Sequence, residues 1–310
     1  STEKPENIYI EEVENIQMKK EFENYFAFLY KQENFSRKIF EKTSKIIPEI
    51  FKKYLRDYKS NRVNWCSGPY DNWKDATKNS RGYDQNNILE KVYNSSKLVK
   101  LGLIPYERDS VLFKEVKYNN NIVDIFNKIN FTQNKLSILD FGGALGSSYF
   151  QNRDILKNKF NFKWGIVEQE NYVKLGIEEF SDEILSFFYN ISDCVKTLAP
   201  NVALFGSSIQ YLEDPHKIID EITHSNDIKY LIFDRTPFEL NKDDTIVVQN
   251  VPKKIYEANY PMRIFSIDKF INKLSFNWTV IEIIDDLYDD VIYYNKRRIK
   301  HKSIIFKKII

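Results

Sequence analysis

The sequence predicts an α/β protein whose C-terminal half holds a Rossmann-like, mostly parallel sheet. Short apolar runs alternate there with polar or amphipathic stretches of helical length, and a glycine-rich loop directly follows the first run. Alternation of this kind is typical of a sheet with helices on both faces. The runs that we expect to be strands are 136–141, 163–167, 185–189, 202–205 and 230–233.

The composition is that of an ordinary globular chain, with 42% hydrophobic and 29% charged residues. With 46 Lys and Arg against 44 Asp and Glu, the net charge of +2 gives no electrostatic reason to expect nucleic acid as a partner. Cys66 and Cys194 match no metal-ligand spacing, so we expect free thiols in a reducing compartment and no metal site. Residues 1–15 lack a signal-peptide pattern, and no apolar run approaches the ~20 residues that cross a bilayer. We therefore expect a cytoplasmic protein without a membrane span.

The N-terminal part predicts helices followed by an irregular segment. Between 11 and 60, apolar and aromatic residues such as Phe22, Phe26 and Leu29 recur at three- and four-residue steps, which is typical of helices. From 61 to 120, turn-forming residues mix with aromatic and charged ones, as in a packed connection or a substrate lid. We therefore divide the chain into a helical cap and lid at 1–130 and a Rossmann-like, cofactor-binding domain at 131–310.

The alternation ends after Asp234. We expect a long irregular stretch next, and then a helix near 266–275. Two apolar runs follow, at 278–284 and 303–310, and they would pair as an antiparallel hairpin at the sheet edge. The predicted sheet is thus mostly parallel, with an antiparallel last strand.

The glycine-rich loop is the most informative segment. Asp140 lies at the end of a predicted strand, and Gly142, Gly143 and Gly146 follow within six residues. Glycine tolerates positive φ and carries no side chain, so the backbone can turn sharply and approach a ligand closely. The helix that follows from Ser147 presents free N–H groups toward that ligand. We therefore expect a cofactor to lie against this loop.

An acidic residue, Glu168, ends the next strand and is followed by Gln169. A carboxylate at this position can accept hydrogen bonds from both hydroxyls of a ribose. Two ligands fit this pattern, a nicotinamide dinucleotide and S-adenosylmethionine. Asp140 would oppose a pyrophosphate but suits a sulfonium and an ammonium group. The loop is also shorter than G-x-G-x-x-G, and the Tyr-x-x-x-Lys motif of short-chain dehydrogenases does not occur downstream, so the sequence favours S-adenosylmethionine.

Further cofactor contacts are expected along the same edge of the sheet. Ser192 and Asp193 offer polar side chains to an adenine amino group, although Asp193 would serve equally well as a helix N-cap. Ser207 follows the fourth strand, where strand ends face the ligand crevice.

Methyl transfer from a sulfonium is an in-line displacement that depends mostly on positioning, and a sugar hydroxyl acceptor also needs a general base. The candidates for a catalytic role are Asp234, Tyr211, Asp109 and Glu107.

Two kinds of side chain are candidates for binding the acceptor. Tyr70, Trp73 and Tyr83 could stack on a sugar face, although core packing explains them equally well. Arg108 and Arg235 suit an anionic acceptor such as a nucleotide sugar or a phosphorylated sugar. Alternatively, each Arg forms a structural ion pair with the neighbouring Asp.

Several strings resemble those of an uncharacterised bacterial family of methyltransferases, often encoded among genes for cell-surface polysaccharide synthesis. The resemblance covers roughly residues 64–290. Its matching strings are Gly68-Pro69-Tyr70 with Trp73, Gly82-Tyr83-Asp84, 107–113, 139–143, 146–153, 167–169, 208–212, 234–238 and 259–266. The resemblance implies a class I enzyme that uses S-adenosylmethionine as cofactor. It also implies methylation of a sugar or nucleotide-linked sugar in capsule or lipopolysaccharide synthesis.

Two other functions stay open. One is an NAD-dependent, sugar-modifying oxidoreductase. The other is a non-catalytic Rossmann scaffold, which the intact glycines argue against. The sequence fixes neither the acceptor atom nor the oligomeric state.

Overall fold

A computed structural model of the chain describes residues 66–82, 86–115, 120–128, 135–251, 258–285, 291–294 and 297–309. The chain divides into two compact units, Ser1–Val63 and Asn64–Ile310. All described residues belong to the second unit, so the helices predicted at 11–60 lie outside them.

The second unit alternates strands and helices. Its strands are β1 (Cys66–Tyr70), β2 (Tyr106–Arg108), β3 (Val111–Phe113), β4 (Lys135–Phe141), β5 (Asn161–Val167), β6 (Leu185–Phe188), β7 (Val202–Gly206), β8 (Tyr230–Glu239), β9 (Thr245–Asn250), β10 (Asn259–Ser266), β11 (Trp278–Asp285), β12 (Val291–Tyr294) and β13 (Arg297–Lys308). Its helices are α1 (Trp73–Lys78), α2 (Asn86–Lys100), α3 (Asn120–Lys128), α4 (Ser147–Lys157), α5 (Glu170–Glu179), α6 (Ile191–Leu198), α7 (Pro215–Thr223) and α8 (Ile267–Leu274), with a 3₁₀ turn at Ile209–Tyr211.

The central sheet confirms the predicted fold class. Strands β6, β5, β4, β7 and β8 are neighbours in that order and run parallel, and β13 joins β8 as an antiparallel strand. The five predicted strands correspond to β4–β8. The strand order reverses between β4 and β7, which is where open α/β sheets bind ligands at the carboxyl ends of their strands.

The core explains why these strands read as continuous apolar runs. Leu139, Phe205 and Phe233 are fully buried in one cluster with residues of α6, α7 and α8. The rings of Phe205 and Phe233 stack with centroids 4.8 Å apart, and Phe270 of α8 meets Phe233 edge-to-face at the same distance. Because helices cover both faces of the sheet, neither face of these strands is exposed to solvent, and both carry apolar side chains.

The predicted irregular stretch after Asp234 is wrong, because β8 continues to Glu239 and is followed by β9 and β10. Strand β8 turns at Arg235, whose φ is 49°, and its far end then pairs with β10 rather than β7. The apolar pattern of β10 is interrupted by Pro261, a residue that is rare inside strands. The pairing of β9 with β10, and of each with β1 or β8, makes these segments strands although the local pattern does not predict them.

The predicted antiparallel pairing of the two C-terminal runs at the edge of the sheet is confirmed. Strands β11 and β13 pair antiparallel from Trp278↔Lys308 to Asp285↔Lys302. Strand β13 lies inside the sheet, between β8 and β11, and it also pairs with β12. Among the described strands β11 pairs only with β13, so it lies at the edge as expected, and the additional strand β12 was not predicted.

The segment 66–115 contains regular structure as well. Strand β1 pairs antiparallel with β9, and β2 and β3 form a separate hairpin. The compact unit thus begins at Asn64, N-terminal to the division that we expect at 130. Strands β1, β9, β10, β12 and β13 surround a second small core that contains Cys66, Val247, Met262, Ile264, Tyr294 and Ile299.

Both cysteines are buried free thiols, and burial raises the pKa of each to about 12, so neither is a reactive nucleophile. Among the described residues, no helix has the length and apolar character needed to cross a membrane.

Candidate active site

The glycine-rich loop lies at the carboxyl ends of β4, β5 and β7. Gly142 has a φ of 73°, and its N–H donates a 2.9 Å hydrogen bond to the carbonyl of Val167 at the end of β5. A Cβ on Gly142 would lie 2.6 Å from the Cβ of Ser208, just after β7. Gly146, with a φ of 101°, is the N-cap of α4, so Ser147 begins that helix. The loop is therefore held against two strand ends and leads into a helix N-terminus, as predicted.

Asp140 lies directly beneath this loop and is fully buried. Trp164 Nε1 donates a 3.0 Å hydrogen bond to Oδ2, whereas Oδ1 has no hydrogen-bond partner among the described residues. A Cβ on Gly143 would lie 2.6 Å from Oδ2, so the loop backbone rests on the carboxyl group. Burial raises the pKa of Asp140 to about 7, against the lowering effect of the Trp164 hydrogen bond.

Glu168 reaches back toward the same loop. Its carboxyl accepts a 2.6 Å hydrogen bond from the N–H of Gln169 and another from the N–H of Ala144. Burial raises the pKa of Glu168, and these two hydrogen bonds lower it. Gln169 is exposed at the N-cap of α5. The expected role of Glu168 in holding a ribose stays a prediction, and its position against the loop agrees with that role.

The first turn of α6 carries Ser192 and Asp193, both exposed. Asn190 is the N-cap of α6, because its Oδ1 accepts the N–H of Asp193 at 2.8 Å. The N-cap alternative for Asp193 is therefore wrong. Asp193 instead accepts a 2.8 Å hydrogen bond from Asn190 Nδ2, and its contact with adenine stays a prediction.

Ser207 connects the ends of β7 and β8. It has a φ of 61°, and its N–H donates a 2.9 Å hydrogen bond to the carbonyl of Asp234. Its hydroxyl accepts a 2.9 Å hydrogen bond from Nε2 of the fully buried Gln210. Ser207 thus fixes the backbone between the two strand ends that close the crevice.

Strand β8 has a bulge where it leaves β7. Asp234 and Arg235 lie opposite the single residue Ser303, because the register of β8 with β13 shifts there. Asp234 Oδ1 accepts a 2.6 Å hydrogen bond from the Ser303 hydroxyl, and Arg235 Nε lies 3.4 Å from Asp234 Oδ2. The structural ion pair that the sequence left open for these two residues is therefore present. Bulges beside active sites commonly redirect a side chain.

Glu107 lies on β2, which packs against α4, the helix that follows the glycine-rich loop. Only 3% of Glu107 is exposed. The N–H of Ser110 donates a 3.1 Å hydrogen bond to Oε2, and Oε1 is buried without a partner in the described part of the chain. Burial is the main reason that the pKa of Glu107 is raised to about 8, and the negative charge of the nearby Asp109 adds to the increase. The hydrogen bond from the Ser110 N–H and the positive charge of Arg235 act in the opposite direction.

The other two hairpin candidates point elsewhere. Asp109 is exposed in the turn, with a φ of 51°. The guanidinium of Arg108 lies over the ring of Phe113, 5.8 Å from its centroid. Of the two hairpin carboxyl groups, that of Glu107 is buried and that of Asp109 is exposed.

Left-handed backbone is concentrated on the segments that meet at this edge. Five of the six described non-glycine residues with positive φ lie on the hairpin, the glycine-rich loop, the end of β7 and the bulge of β8. They are Asp109, Ser110, Ala144, Ser207 and Arg235. Such conformations cost free energy and cluster at functional sites, so their convergence supports the location of the site.

Two aromatic candidates, Tyr211 in the 3₁₀ turn and Trp73 in α1, belong to elements that pack against β9 or β10. The Tyr211 hydroxyl donates a 2.9 Å hydrogen bond to Gln249 Oε1, and its ring meets Tyr260 edge-to-face. The ring of Trp73 faces the guanidinium of Arg263 at 5.7 Å, which agrees with a packing role. Tyr83 lies outside the described residues.

Tyr70 is the last residue of β1 and pairs with Ile246 of β9. An open pocket of about 400 Å³ is found there. Tyr70, Asp71, Glu239 and Tyr294 are among its lining residues.

Sequence reasoning missed four residues that hold the site together: Trp164, Ser208 and Ser303 through their side chains, and Ser110 through its backbone N–H. Ser208 donates a 2.6 Å hydrogen bond to the carbonyl of Phe141. It lies in 208–212, one of the strings that resemble the methyltransferase family, so the resemblance could have identified it. Trp164 and Ser303 reach the site through strand pairing, so no local pattern identifies them. No group of three or more His, Cys, Asp or Glu that could hold a metal ion occurs within the described ranges.

No family model and no curated protein matches the sequence. Among solved structures, a SAM-dependent methyltransferase from Methanosarcina mazei is 14% identical, with 58% of this chain and 96% of that chain covered and a TM-score of 0.41. The glycopeptide N-methyltransferase MtfA, crystallised with S-adenosylmethionine, is 10% identical, with 62% and 92% covered and a TM-score of 0.41. The amino pentose methyltransferase CalS10 from Micromonospora echinaspora is 7% identical, with 74% and 99% covered and a TM-score of 0.39. At these values the site's own residues have to carry the functional inference.

Proposed function

We propose that the protein is an S-adenosylmethionine-dependent methyltransferase. The observation that carries this proposal is the buried carboxyl group of Asp140, which lies against the glycine-rich loop with one oxygen lacking a partner among the described residues. A buried polar atom without a hydrogen bond is costly, and a ligand that donates one removes the cost. A dinucleotide would bring a pyrophosphate toward this carboxyl, whereas S-adenosylmethionine brings an ammonium and a sulfonium group.

The charges around the loop favour the same ligand. The negative charges of Glu168 and Asp234 raise the pKa of Asp140, and the positive charge of Arg235 lowers it. Glu107 faces Arg235 from the hairpin. Because a nearby cation favours the ionised form of a carboxyl group, these four acidic groups around one guanidinium suit a cationic cofactor better than an anionic one. Glu168 would hold the ribose, and the N-terminus of α4 would face the ligand.

Glu107 is the best general base of the four catalytic candidates. Asp234 is engaged by Ser303 and Arg235, Asp109 is exposed, and the Tyr211 hydroxyl is bound to Gln249. When bound, the cofactor supplies a methyl group whose bond to sulfur breaks as a bond to the acceptor oxygen forms. Glu107 Oε1 would take the proton of that hydroxyl. Since a cation nearby favours the ionised carboxyl, the bound cofactor would convert Glu107 to the basic form.

We further propose that the acceptor is a sugar or nucleotide-linked sugar of surface polysaccharide synthesis. The family resemblance supports this. Cytoplasmic location stays the sequence-based expectation.

The test is transfer of labelled methyl from S-adenosylmethionine to a panel of neutral sugars, amino sugars, sugar phosphates and nucleotide sugars. We expect labelled product and S-adenosylhomocysteine with at least one class, and none after Glu107→Gln substitution. Cofactor binding without transfer to any member would refute the sugar acceptor. Binding of NADH in place of S-adenosylmethionine would instead support an oxidoreductase.

A further inference from the structure

We propose that Ser96 of α2 is a positioning residue for Glu107: its hydroxyl donates a hydrogen bond to the carboxylate and holds it in the orientation that accepts a proton. The catalytic part of this inference rests on the proposed function, whereas the contact between the two side chains does not. Sequence analysis gave no reason to expect a role for Ser96.

The buried face of α2 carries two serines within an apolar stripe. Ile88, Val92 and Val99 form the stripe, and Ser95 and Ser96 are buried with them. A buried hydroxyl needs a hydrogen-bond partner. Ser95 finds one in its own helix, because its Oγ donates a 2.9 Å hydrogen bond to the carbonyl of Val92. Ser96 Oγ has no such partner among the described residues, so its place in the stripe has another cause.

The chain turns back directly after α2 and so brings β2 against this helix. The N–H groups of Leu103 and Ile104 donate hydrogen bonds of 3.0 and 3.2 Å to the carbonyl of Leu98. Strand β2 begins two residues after Ile104 and packs against α2. Ser96 is 1% exposed and Glu107 is 3% exposed, so both side chains are enclosed on elements that pack together.

The two side chains also match chemically. Ser96 Oγ is a hydroxyl that can donate, and Glu107 Oε1 is an acceptor. A hydrogen bond from the Ser96 hydroxyl lowers the pKa of Glu107. Neither oxygen has a partner at full hydrogen-bond geometry among the described residues, so this contact is long in the unliganded protein. Hydrogen bonds of catalytic groups often tighten only in the reacting complex.

The charges around Glu107 lie elsewhere than on the buried face of α2. Asp109 of the hairpin turn and Arg235 of β8 both affect its pKa. Strand β3 carries no charged residue. On α2 and α4, which pack against β2, every charged residue except Lys97 and Arg153 is exposed, and these two contact neighbours on their own helices. Substitution of Ser96 therefore removes a donor without moving a charge.

The test is a double-mutant cycle on thermal stability. We would measure Tm of the full chain between about pH 6 and pH 10 for the unmodified protein, Ser96→Ala, Ser96→Thr and Ser95→Ala, each with Glu107 and with Glu107→Gln. Ser95→Ala is the matched control, because Ser95 is buried on the same helix but is bonded within it. Ser96→Thr keeps the hydroxyl.

Ser96→Ala should raise the pKa of Glu107 above its folded-state value of about 8, because the ionised carboxyl loses a donor. A folded-state pKa above the unfolded one costs stability until the pH reaches the folded value. Ser96→Ala should thus keep losing stability above about pH 8, where the unmodified protein does not. Its Tm deficit should be roughly 2–5 °C larger near pH 9.5 than near pH 6.5, as about one pKa unit implies.

The deficits of Ser95→Ala and Ser96→Thr should not depend on pH, and neither should that of Ser96→Ala combined with Glu107→Gln. A pH-independent deficit of Ser96→Ala, or a pH dependence that persists with Glu107→Gln, would overturn the contact. In the transfer assay, Ser96→Ala should lower kcat about 10-fold with unchanged KM for S-adenosylmethionine, and Ser95→Ala should not. An unchanged kcat would overturn the positioning role. If the unmodified protein transfers no methyl group, the proposed function fails, and the stability cycle still decides whether Ser96 binds Glu107.

Discussion

The hydroxyl of Ser303 donates a 2.6 Å hydrogen bond to Oδ1 of Asp234, so that the antiparallel last strand is bonded directly to the bulge at the candidate site. Asp234 is 2% exposed, and Ser303 is 1% exposed. The strand that closes the sheet therefore also orients an acidic group at the crevice.

Ser303→Ala should destabilise the protein by about 1–3 kcal/mol, because a buried carboxyl oxygen loses its hydrogen-bond donor. Urea unfolding measures this change. The control is Ser275→Ala, which removes an exposed serine hydroxyl bonded to the carbonyl of Asn272 and should change stability by less than about 0.5 kcal/mol. Equal stability of the two variants would show that the Asp234 contact contributes nothing.

Gly142→Ala should abolish cofactor binding and destabilise the fold more than Gly102→Ala does. The two glycines have similar φ values, 73° and 70°, so the backbone penalty of about 1–2 kcal/mol is shared. A Cβ at Gly142 would also lie 2.6 Å from Ser208 Cβ, whereas nothing lies within 4 Å of one at Gly102. Thermal unfolding and calorimetric titration compare the variants. Similar losses in both would mean that close packing of the loop on Ser208 is unimportant.

Glu168→Ala should weaken S-adenosylhomocysteine binding by about 10- to 100-fold, as expected for loss of charge-assisted hydrogen bonds to a ribose. Glu170→Ala is the matched control, since Glu170 is exposed on the next helix and pairs with Lys174. It should leave the Kd unchanged. The ribose assignment is wrong if Glu168→Ala binds the ligand as tightly as Glu170→Ala.

Glu107→Gln should abolish methyl transfer and stabilise the unliganded protein at alkaline pH. The pKa of Glu107 is about 8 in the folded state and near the ordinary glutamate value when unfolded. The unfolded chain thus loses the proton first, and the folded state loses stability as pH rises from about 4.5 to 8. Gln does not ionise, so the Glu107→Gln variant does not lose stability in this way.

The difference in Tm between Glu107→Gln and the unmodified protein should therefore be small near pH 5 and should favour the variant by several degrees at pH 8. Thermal unfolding across this range measures it. A difference independent of pH would contradict the burial of an ionisable Glu107.

Local sequence predicted the parallel core well, because each of its strands is an apolar run bounded by turns and β4 leads directly into a glycine-rich loop. Gly142, Asp140 and Glu168 lie together as expected because consecutive parallel strands end at one edge of the sheet. Prediction of strands from apolar runs was wrong after Asp234. Strand β9 is half polar and β10 contains Pro261, and besides pairing with each other they pair with β1 and β8, which the local pattern does not reveal.

The positions of the catalytic candidates also depend on structure that the local sequence does not reveal. Asp234 and Arg235 are adjacent in the chain, but the bulge opposite Ser303 decides where each points, and a bulge has no sequence signal here. Burial distinguishes Glu107 from Asp109, two residues away, because the hairpin turn exposes one and encloses the other.

The most direct test of the central claim is calorimetric titration of the full chain with S-adenosylmethionine and S-adenosylhomocysteine, with NADH as the competing ligand. We predict binding of both adenosyl compounds at a single site with a Kd in the micromolar range, and no binding of NADH. Binding heat with NADH alone would contradict the cationic-cofactor site beneath Gly143. The absence of binding heat with all three ligands, when the protein is folded, would contradict it as well.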